Sequence, residues 1–222
     1  MDLTEFWTLC SSNEIILEYE QLVQIERFHD EVIYWNSKVN LISRQDEERL
    51  LENHILHCLA ILKHLNIPQK SWCADIGTGG GFPGIPLTIA RPDLRMFLID
   101  SIAKKVKITA LLAKHTGIRN ISAVRARAEE YMREKENLKK FDFIFARAVA
   151  RTEKLVGWIR PGIKKDGKIV LLKGGDLDEE IKEASEKYDM FSFTLKPLNL
   201  FGYDNFVKED KKIIIAEYKN NK

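Results

Sequence analysis

"CADIGTGGGFPGIPL", residues 73–87, packs five glycines and two prolines into fifteen positions directly after a short apolar run. Glycine permits positive φ and removes the Cβ, so such a loop lets a ligand lie against the main chain. "SWCADIG" (71–77) reads as a short buried strand. Pro83 and Pro86 suit only the entry turn of a helix over 84–91. The stretch is thus a strand–loop–helix unit in which Asp75, Gly77, Gly79 and Gly81 form D-x-G-x-G-x-G.

Outward from this unit the chain alternates. "RMFLID" (95–100), "ISAVRAR" (121–127), "FDFIFARA" (141–148) and "GKIVLLKGG" (167–175) read as strands. Helices are predicted over 101–117, closed by Gly117, over 152–163 and over 178–188. This alternation implies a doubly wound, mostly parallel α/β sheet. Segments 191–201 and 211–219 are both β-rich, follow one another with no helix predicted between them, and pair most simply as an antiparallel hairpin at the sheet edge. Upstream, a helix is predicted over 12–36, capped by Ser12 or Asn13, and another over 46–65, ended by "NIPQ". A Rossmann-like sheet ending in a hairpin resembles the class I S-adenosylmethionine-dependent methyltransferase fold.

Asp100 falls at the end of the second strand, where a carboxylate in nucleotide-binding Rossmann-like folds bonds ribose hydroxyls. A P-loop needs Gly-Lys-Ser/Thr, whereas Phe82 and Pro83 follow Gly81 here. A dinucleotide fingerprint needs its third glycine elsewhere, which leaves NAD as the weaker alternative.

The bulk numbers bound the class. A chain of 222 residues with 45% hydrophobic residues makes one domain of ordinary size with a real core. No apolar window is long enough to span a bilayer, and the acidic first twenty residues do not read as a signal peptide. Cys10, Cys58 and Cys73 are odd in number and widely spaced, which fits a reducing cytoplasm. Net charge is +2, unevenly spread. Residues 1–70 carry 6 Lys/Arg against 12 Asp/Glu, residues 71–175 carry 21 against 10, and residues 176–222 carry 8 against 11. The central excess suits a polyanionic partner or a solvated surface equally well.

"NLIS" (40–43), His54, "DIGTGGGFPGIPL" (75–87), "RPDLRMFLIDSIAKKVKI" (91–108), "RAEE" (127–130), "FARAVA" (145–150) and "LLKGG" (171–175) occur in this order. In these motifs the chain resembles the RsmG (GidB) family of small-subunit ribosomal RNA methyltransferases, over roughly residues 35–175. The resemblance implies S-adenosylmethionine as cofactor, and N7 of a guanine in 16S rRNA, or in the small ribosomal subunit, as substrate. It implies that Gly77 and Phe82 line the cofactor site, that Ala128 and Glu129 sit by the adenine, and that Arg147 faces cofactor and substrate. The helix pattern upstream of the sheet predicts a helical cap over 1–70 on a methyltransferase domain over 71–222, forming one compact unit; a cytoplasmic monomer is expected. The family commonly reads His-x-x-Asp-Ser where this chain has His54-Ile-Leu-His57-Cys58, so the role of that aspartate does not transfer.

The chemistry agrees with the residues. Guanine N7 has a lone pair and no proton, so its methylation asks for positioning and water exclusion and for no strong base. The Asn/Asp-Pro-Pro-aromatic tetrad of amino-group methyltransferases is replaced by "ARAVAR" after the fourth strand. No cysteine lies there to act as a nucleophile. Arg147 can bond guanine O6, steer a phosphate, or serve only in a structural ion pair. Arg125, Arg151, Lys165 and Lys173 are candidate RNA contacts, with Arg127, Lys104, Lys105, Lys107 and Lys164 adding to the basic excess. His54 and Cys58 stand at i and i+4, but with no second ligand pair nearby they read as ordinary helix residues, and no metal is expected. The four tryptophans, Trp158 among them, read as packing residues. Two alternatives stay open: the same fold acting on another RNA, a protein or a small molecule, and an inactive RNA-binding module.

Overall fold

The computed structural model describes residues 1–219. The chain opens with α1 (Leu3–Ser11) and α2 (Tyr19–Asn36). α1 starts on a capping box, with the Glu5 N–H donating to Asp2 Oδ1 at 2.8 Å and the Asp2 N–H to Glu5 Oε2 at 2.9 Å. The helix predicted over 12–36 is therefore only α2, which begins at Tyr19, and α1 lies upstream of the predicted range. Ser12 closes α1, and Glu18 rather than Ser12 or Asn13 stands at the N-cap of α2. Tertiary contacts override the capping preference of Asn13. Its buried amide donates to the carbonyls of Leu9 and Phe201 and accepts from the Phe201 N–H.

α2 buries Leu22, Ile25, Phe28 and Val32, a stripe at helical spacing. Residues 44–64 are helical, as predicted, but uneven. A 3₁₀ turn (Arg44–Arg49) leads into a π-helical turn (Leu51–Leu56), then α3 (His57–Leu59) and α4 (Ile61–His64).

From Trp72 the strands and helices alternate: β1 (Trp72–Ile76), α5 (Gly84–Ala90), β2 (Arg95–Asp100), α6 (Ala103–His115), β3 (Ile121–Arg125), α7 (Ala128–Tyr131), β4 (Phe141–Arg147) and α8 (Thr152–Ile159). β5 (Ile163–Gly174), α9 (Asp178–Lys187), β6 (Phe191–Pro197), α10 (Asn205–Lys208) and β7 (Lys211–Tyr218) complete the chain. α8 stops four residues short of its predicted end, because Ile163 already pairs with Phe141 in the sheet. One short helix, α10, interrupts the segment read as helix-free.

The sheet runs β3-β2-β1-β4-β5-β7-β6, with β7 antiparallel to both its neighbours and the rest parallel. This is the Rossmann-like sheet with a C-terminal antiparallel hairpin that the alternation predicts. Its strand order reverses between β1 and β4, and in open α/β sheets the ligand crevice lies outside the carboxyl ends at such a point.

Strand alternation sends successive residues of β4 to opposite faces. Phe143 and Phe145 pack into a core shared with Phe6, Phe28, Leu50 and Ile55 of the N-terminal helices. Ile144 and Ala146 pack into a second core with Val156 and Ile159 of α8. The N-terminal helices thus share one hydrophobic core with the sheet.

Candidate active site

β1 ends at Ile76, and the chain then turns through Gly77, Gly79 and Gly81 at φ of +63°, +56° and +91°. These are left-handed conformations that disfavour any residue with a Cβ. The turn is tied to β2 by the N–H groups of Gly77 and Thr78, which donate to the Ile99 carbonyl at 2.8 and 3.2 Å. A Cβ on Gly77 would stand 2.6 Å from Val149 Cγ2, so the loop after β4 presses directly on the glycine turn.

The ends of β1 to β4 enclose a cleft of about 500 Å³. Gly77 and Asp100 line one side, and Ala128 and Glu129 at the start of α7 line another. Val149, Lys154 and Trp158, from the loop after β4 and from α8, complete the wall. The Asp100 carboxylate is nearly buried and held from two directions. Its Oδ2 accepts from the Gly79 N–H at 3.1 Å and its Oδ1 from the Ile102 N–H at 2.9 Å. A carboxylate has further lone pairs, so Asp100 remains able to accept from a ligand in the cleft.

Asp75 has a different task. It is fully buried, and its Oδ2 accepts from Thr78 Oγ1 at 2.7 Å and from the Gly84 N–H at 2.9 Å. These bonds fold the loop back onto α5. Its Oδ1 is buried without a hydrogen-bond partner. Burial pushes the carboxyl up to about 7, against those two hydrogen bonds.

On the other face of the sheet, Arg147 ends β4. Its Nη2 bonds His54 Nδ1, and its Nη1 reaches the Asn53 carbonyl at 3.4 Å. The guanidinium lies 5.1 Å from the centre of the Phe82 ring. The Phe82 ring is buried beside Phe28 and His54, at centroid distances of 5.2 and 5.3 Å. His54 Nε2 stands 3.3 Å from Asp46 Oδ2, and the amide of Asn53 donates to Asp46 Oδ1 at 2.8 Å. Burial first, then the Arg147 charge, pull the His54 imidazole down to about 4. Among the described residues no carboxylate lies within ion-pair distance of Arg147, so the structural ion pair read as its alternative role is absent.

The family model described as "GidB: rRNA small subunit methyltransferase G" matches residues 21–206. The chain belongs to the GidB family. It is 34% identical to the Ribosomal RNA small subunit methyltransferase G of Desulforamulus reducens, covering 92% of this chain and 85% of that one. It is 41% identical to the protein of the same name from Flavobacterium johnsoniae, over 80% of this chain and 88% of the relative. A SAM dependent methyltransferase from Aquifex aeolicus superposes with a TM-score of 0.56 at 13% identity, over 79% of this chain and 98% of that one, which shows the shared fold.

In this GidB chain, Gly77, Asp100, Ala128 and Glu129 meet at the cleft as predicted. Asp75, Gly81 and Phe82 do not. Asp75 is consumed inside the loop, a Cβ on Gly81 would meet Ile85 Cδ1 at 2.4 Å, and Phe82 packs in the core. Gly79 touches the site only through its N–H on Asp100. Arg147 faces the N-terminal helices and does not line the cleft.

The predicted RNA contacts also divide. Arg125 ends β3 beside the cleft and is exposed. Exposed Arg151 pairs with Glu183 at 2.8 Å. Lys173 is half-buried, with its Nζ at 2.6 Å from the Ala150 carbonyl and 2.8 Å from Glu180, which itself accepts from Thr152. Lys165 sits near the start of β5, at the amino ends of the strands and away from the cleft. Lys173 is thus engaged by Glu180 and the Ala150 carbonyl, and Lys165 lies remote from the cleft.

Trp158, Lys154, Ser101 and Val149 are cleft residues that sequence reading misses. A signal existed for two of them. Lys154 and Trp158 are i and i+4 on α8, the helix that follows the fourth strand, and the Lys154 ammonium lies 5.3 Å over the Trp158 ring.

Proposed function

We propose that this chain transfers a methyl group from S-adenosylmethionine to N7 of a guanine in the 16S RNA of the small ribosomal subunit. The observation that carries this reading is the family match across residues 21–206, whose description is a small-subunit rRNA methyltransferase. The cleft fits an adenosyl group on its own terms. It has a glycine without room for a Cβ at the turn, a buried carboxylate on the second strand, small Ala128 at the wall and an indole beside it.

When bound, the cofactor supplies an electrophilic methyl group on a sulfonium. Asp100 accepts hydrogen bonds from the ribose hydroxyls. Ala128 and Glu129 flank the adenine, and the Trp158 ring excludes water from its side. Arg147 holds the acceptor base by donating to O6, beside N7. No residue need take a proton, since N7 carries none. Covalent catalysis through sulfur is disfavoured, because Cys10, Cys58 and Cys73 are all buried and burial raises all three thiols, Cys10 and Cys58 to about 12.

Residues 1–70 act as a cap over a methyltransferase domain spanning 71–222. Exposed Arg125 and Arg127 meet RNA phosphates beside the cleft. The enzyme works as a cytoplasmic monomer. Among the described residues no helix is long and apolar enough to cross a membrane.

The test incubates the protein with methyl-labelled S-adenosylmethionine and unmodified small-subunit rRNA or particles, followed by nucleoside analysis. Label in 7-methylguanosine is expected. Label in another nucleoside, or none while cofactor binding is intact by calorimetry, overturns the substrate assignment.

A further inference from the structure

A guanidinium has only donors, so the group it meets must accept. Arg147 meets His54 through Nδ1. That nitrogen must therefore be unprotonated, and the ring's proton must sit on Nε2. Asp46 Oδ2 stands 3.3 Å from Nε2 and can only accept while ionised. The three side chains form an ordered series, Asp46 to His54 to Arg147, in which each partner fixes the hydrogen positions of the next.

The surroundings keep this arrangement single-valued. His54 is buried, and the Phe82 ring packs on it. Asn53 contributes twice, its side chain to Asp46 and its carbonyl to Arg147. Both Asn53 and His54 lie in the π-helical turn Leu51–Leu56, a local widening that recurs at functional sites. A protonated ring would set an N–H and a positive charge against the guanidinium, and the low His54 pKa agrees with exclusion of that form.

We infer that His54, oriented by Asp46, is a positioning residue that holds the Arg147 guanidinium through Nδ1 in the pose needed to hold the acceptor base. This rests on the proposed methyl transfer for its kinetic consequence but not for its geometry. His54 itself touches neither cofactor nor substrate.

The experiment combines an imidazole ¹⁵N–¹H spectrum with kinetics on rRNA. The spectrum should show His54 as the Nε2–H tautomer at neutral pH, and Arg147→Ala should shift its Nδ1 resonance. His54→Leu should lower kcat about 10-fold to 100-fold, as misplacement of a positioned group does, with cofactor Kd unchanged. His54→Asn, whose amide oxygen can accept where Nδ1 did, should recover most of that loss; a merely structural role would not distinguish the two variants in kcat. Asp46→Asn should mix the tautomers and lower kcat less than His54→Leu does. It also carries the test should His54→Leu fail to fold, as it alters a half-buried rim residue. Wild-type kcat in His54→Leu, or an Nδ1–H ring in the wild type, overturns the positioning role. A wild-type chain that shows the Nε2–H ring yet methylates no RNA overturns the functional reading instead, and leaves the series of hydrogen bonds standing.

Discussion

The cleft at Gly77 and the cluster around Arg147 flank the end of the same strand, yet they are assembled in different ways. The cleft takes Gly77, Asp100, Ala128 and Val149 from the carboxyl ends of four strands of one sheet and the segments just after them. Each is placed where a parallel strand ends. The cluster takes Asp46, His54, Phe82 and Arg147 from a 3₁₀ turn, a π-helical turn, a loop and a strand end. Only tertiary packing brings these four together. The cleft is thus a property of the sheet, whereas the cluster is a property of the seam between the N-terminal helices and the sheet. A binding half and a reacting half with separate supports should fail separately.

The strongest test of that separation is Arg147→Ala. If the cluster serves only the acceptor base, kcat should fall by about 10²-fold to 10³-fold, the scale for losing one well-placed donor. Cofactor Kd, read by calorimetry, should stay within about twofold. A matching loss in both would merge the two halves into one site. Unchanged kcat would remove Arg147 from the reaction altogether.

Two buried groups, His54 in the cluster and Asp75 in the glycine loop, respond to pH with opposite sign, and burial lowers His57 and His64 in the same direction as His54. His54 is drawn down to about 4 from 6.5, so its contribution is fully present above pH 6.5 and is lost as pH falls toward 4. Asp75 is raised to about 7 from 3.8, so its contribution is fully present below pH 3.8 and is lost as pH rises toward 7. Between pH 6.5 and 4 the two offset each other. Replacing either should therefore change the pH dependence of stability by about 2 kcal/mol between pH 7 and 5, relative to the wild type. Relative to the wild type over the same range, His54→Asn should gain stability as pH is lowered from 7 to 5, and Asp75→Asn should lose it, in urea midpoints measured at both pH values. Parallel behaviour of the two variants would break the assignment of opposite shifts to His54 and Asp75.

Asp100→Ala should touch the cleft alone. Losing a charge-assisted acceptor costs about 1.5–3 kcal/mol, so cofactor Kd should weaken at least about tenfold, while kcat at saturating cofactor changes little. Unaltered Kd would mean that Asp100 serves only the N–H groups of Gly79 and Ile102 and does not face the ribose.

The same contrast explains what the sequence discloses. The sheet is legible because each strand of "SWCADIG", "RMFLID" and "FDFIFARA" is a short apolar run closed by a local stop. Gly77 and Asp100 are legible because a positive φ and a strand end leave local marks. Asp75 misleads for the opposite reason. A carboxylate beside a glycine turn looks the same whether it faces a ligand or the loop's own Thr78 and Gly84, and only the fold decides. The partnership of His54 with Arg147 spans 93 positions, so no spacing rule could propose it. Composition counts charge and not partners, so it does not disclose that Lys173 pairs with Glu180 or that Lys165 stands away from the cleft.

The smallest effect concerns the basic excess, and it distinguishes free charge from committed charge around the two halves. Arg125 and Arg127 are exposed at the rim of the cleft, and among the described residues neither stands in an ion pair. Removing one phosphate contact lowers the salt dependence of binding by about one unit of slope and affects all sequences alike. Arg125→Ala and Arg127→Ala should each weaken rRNA binding about threefold at moderate salt and flatten the slope of log Kd against log salt. Lys165→Ala, at the far end of the sheet, should leave both untouched. Should Lys165→Ala flatten the slope as much as the rim arginines do, the RNA must wrap past the amino ends of the strands, and the footprint would extend well beyond the cleft and its cap.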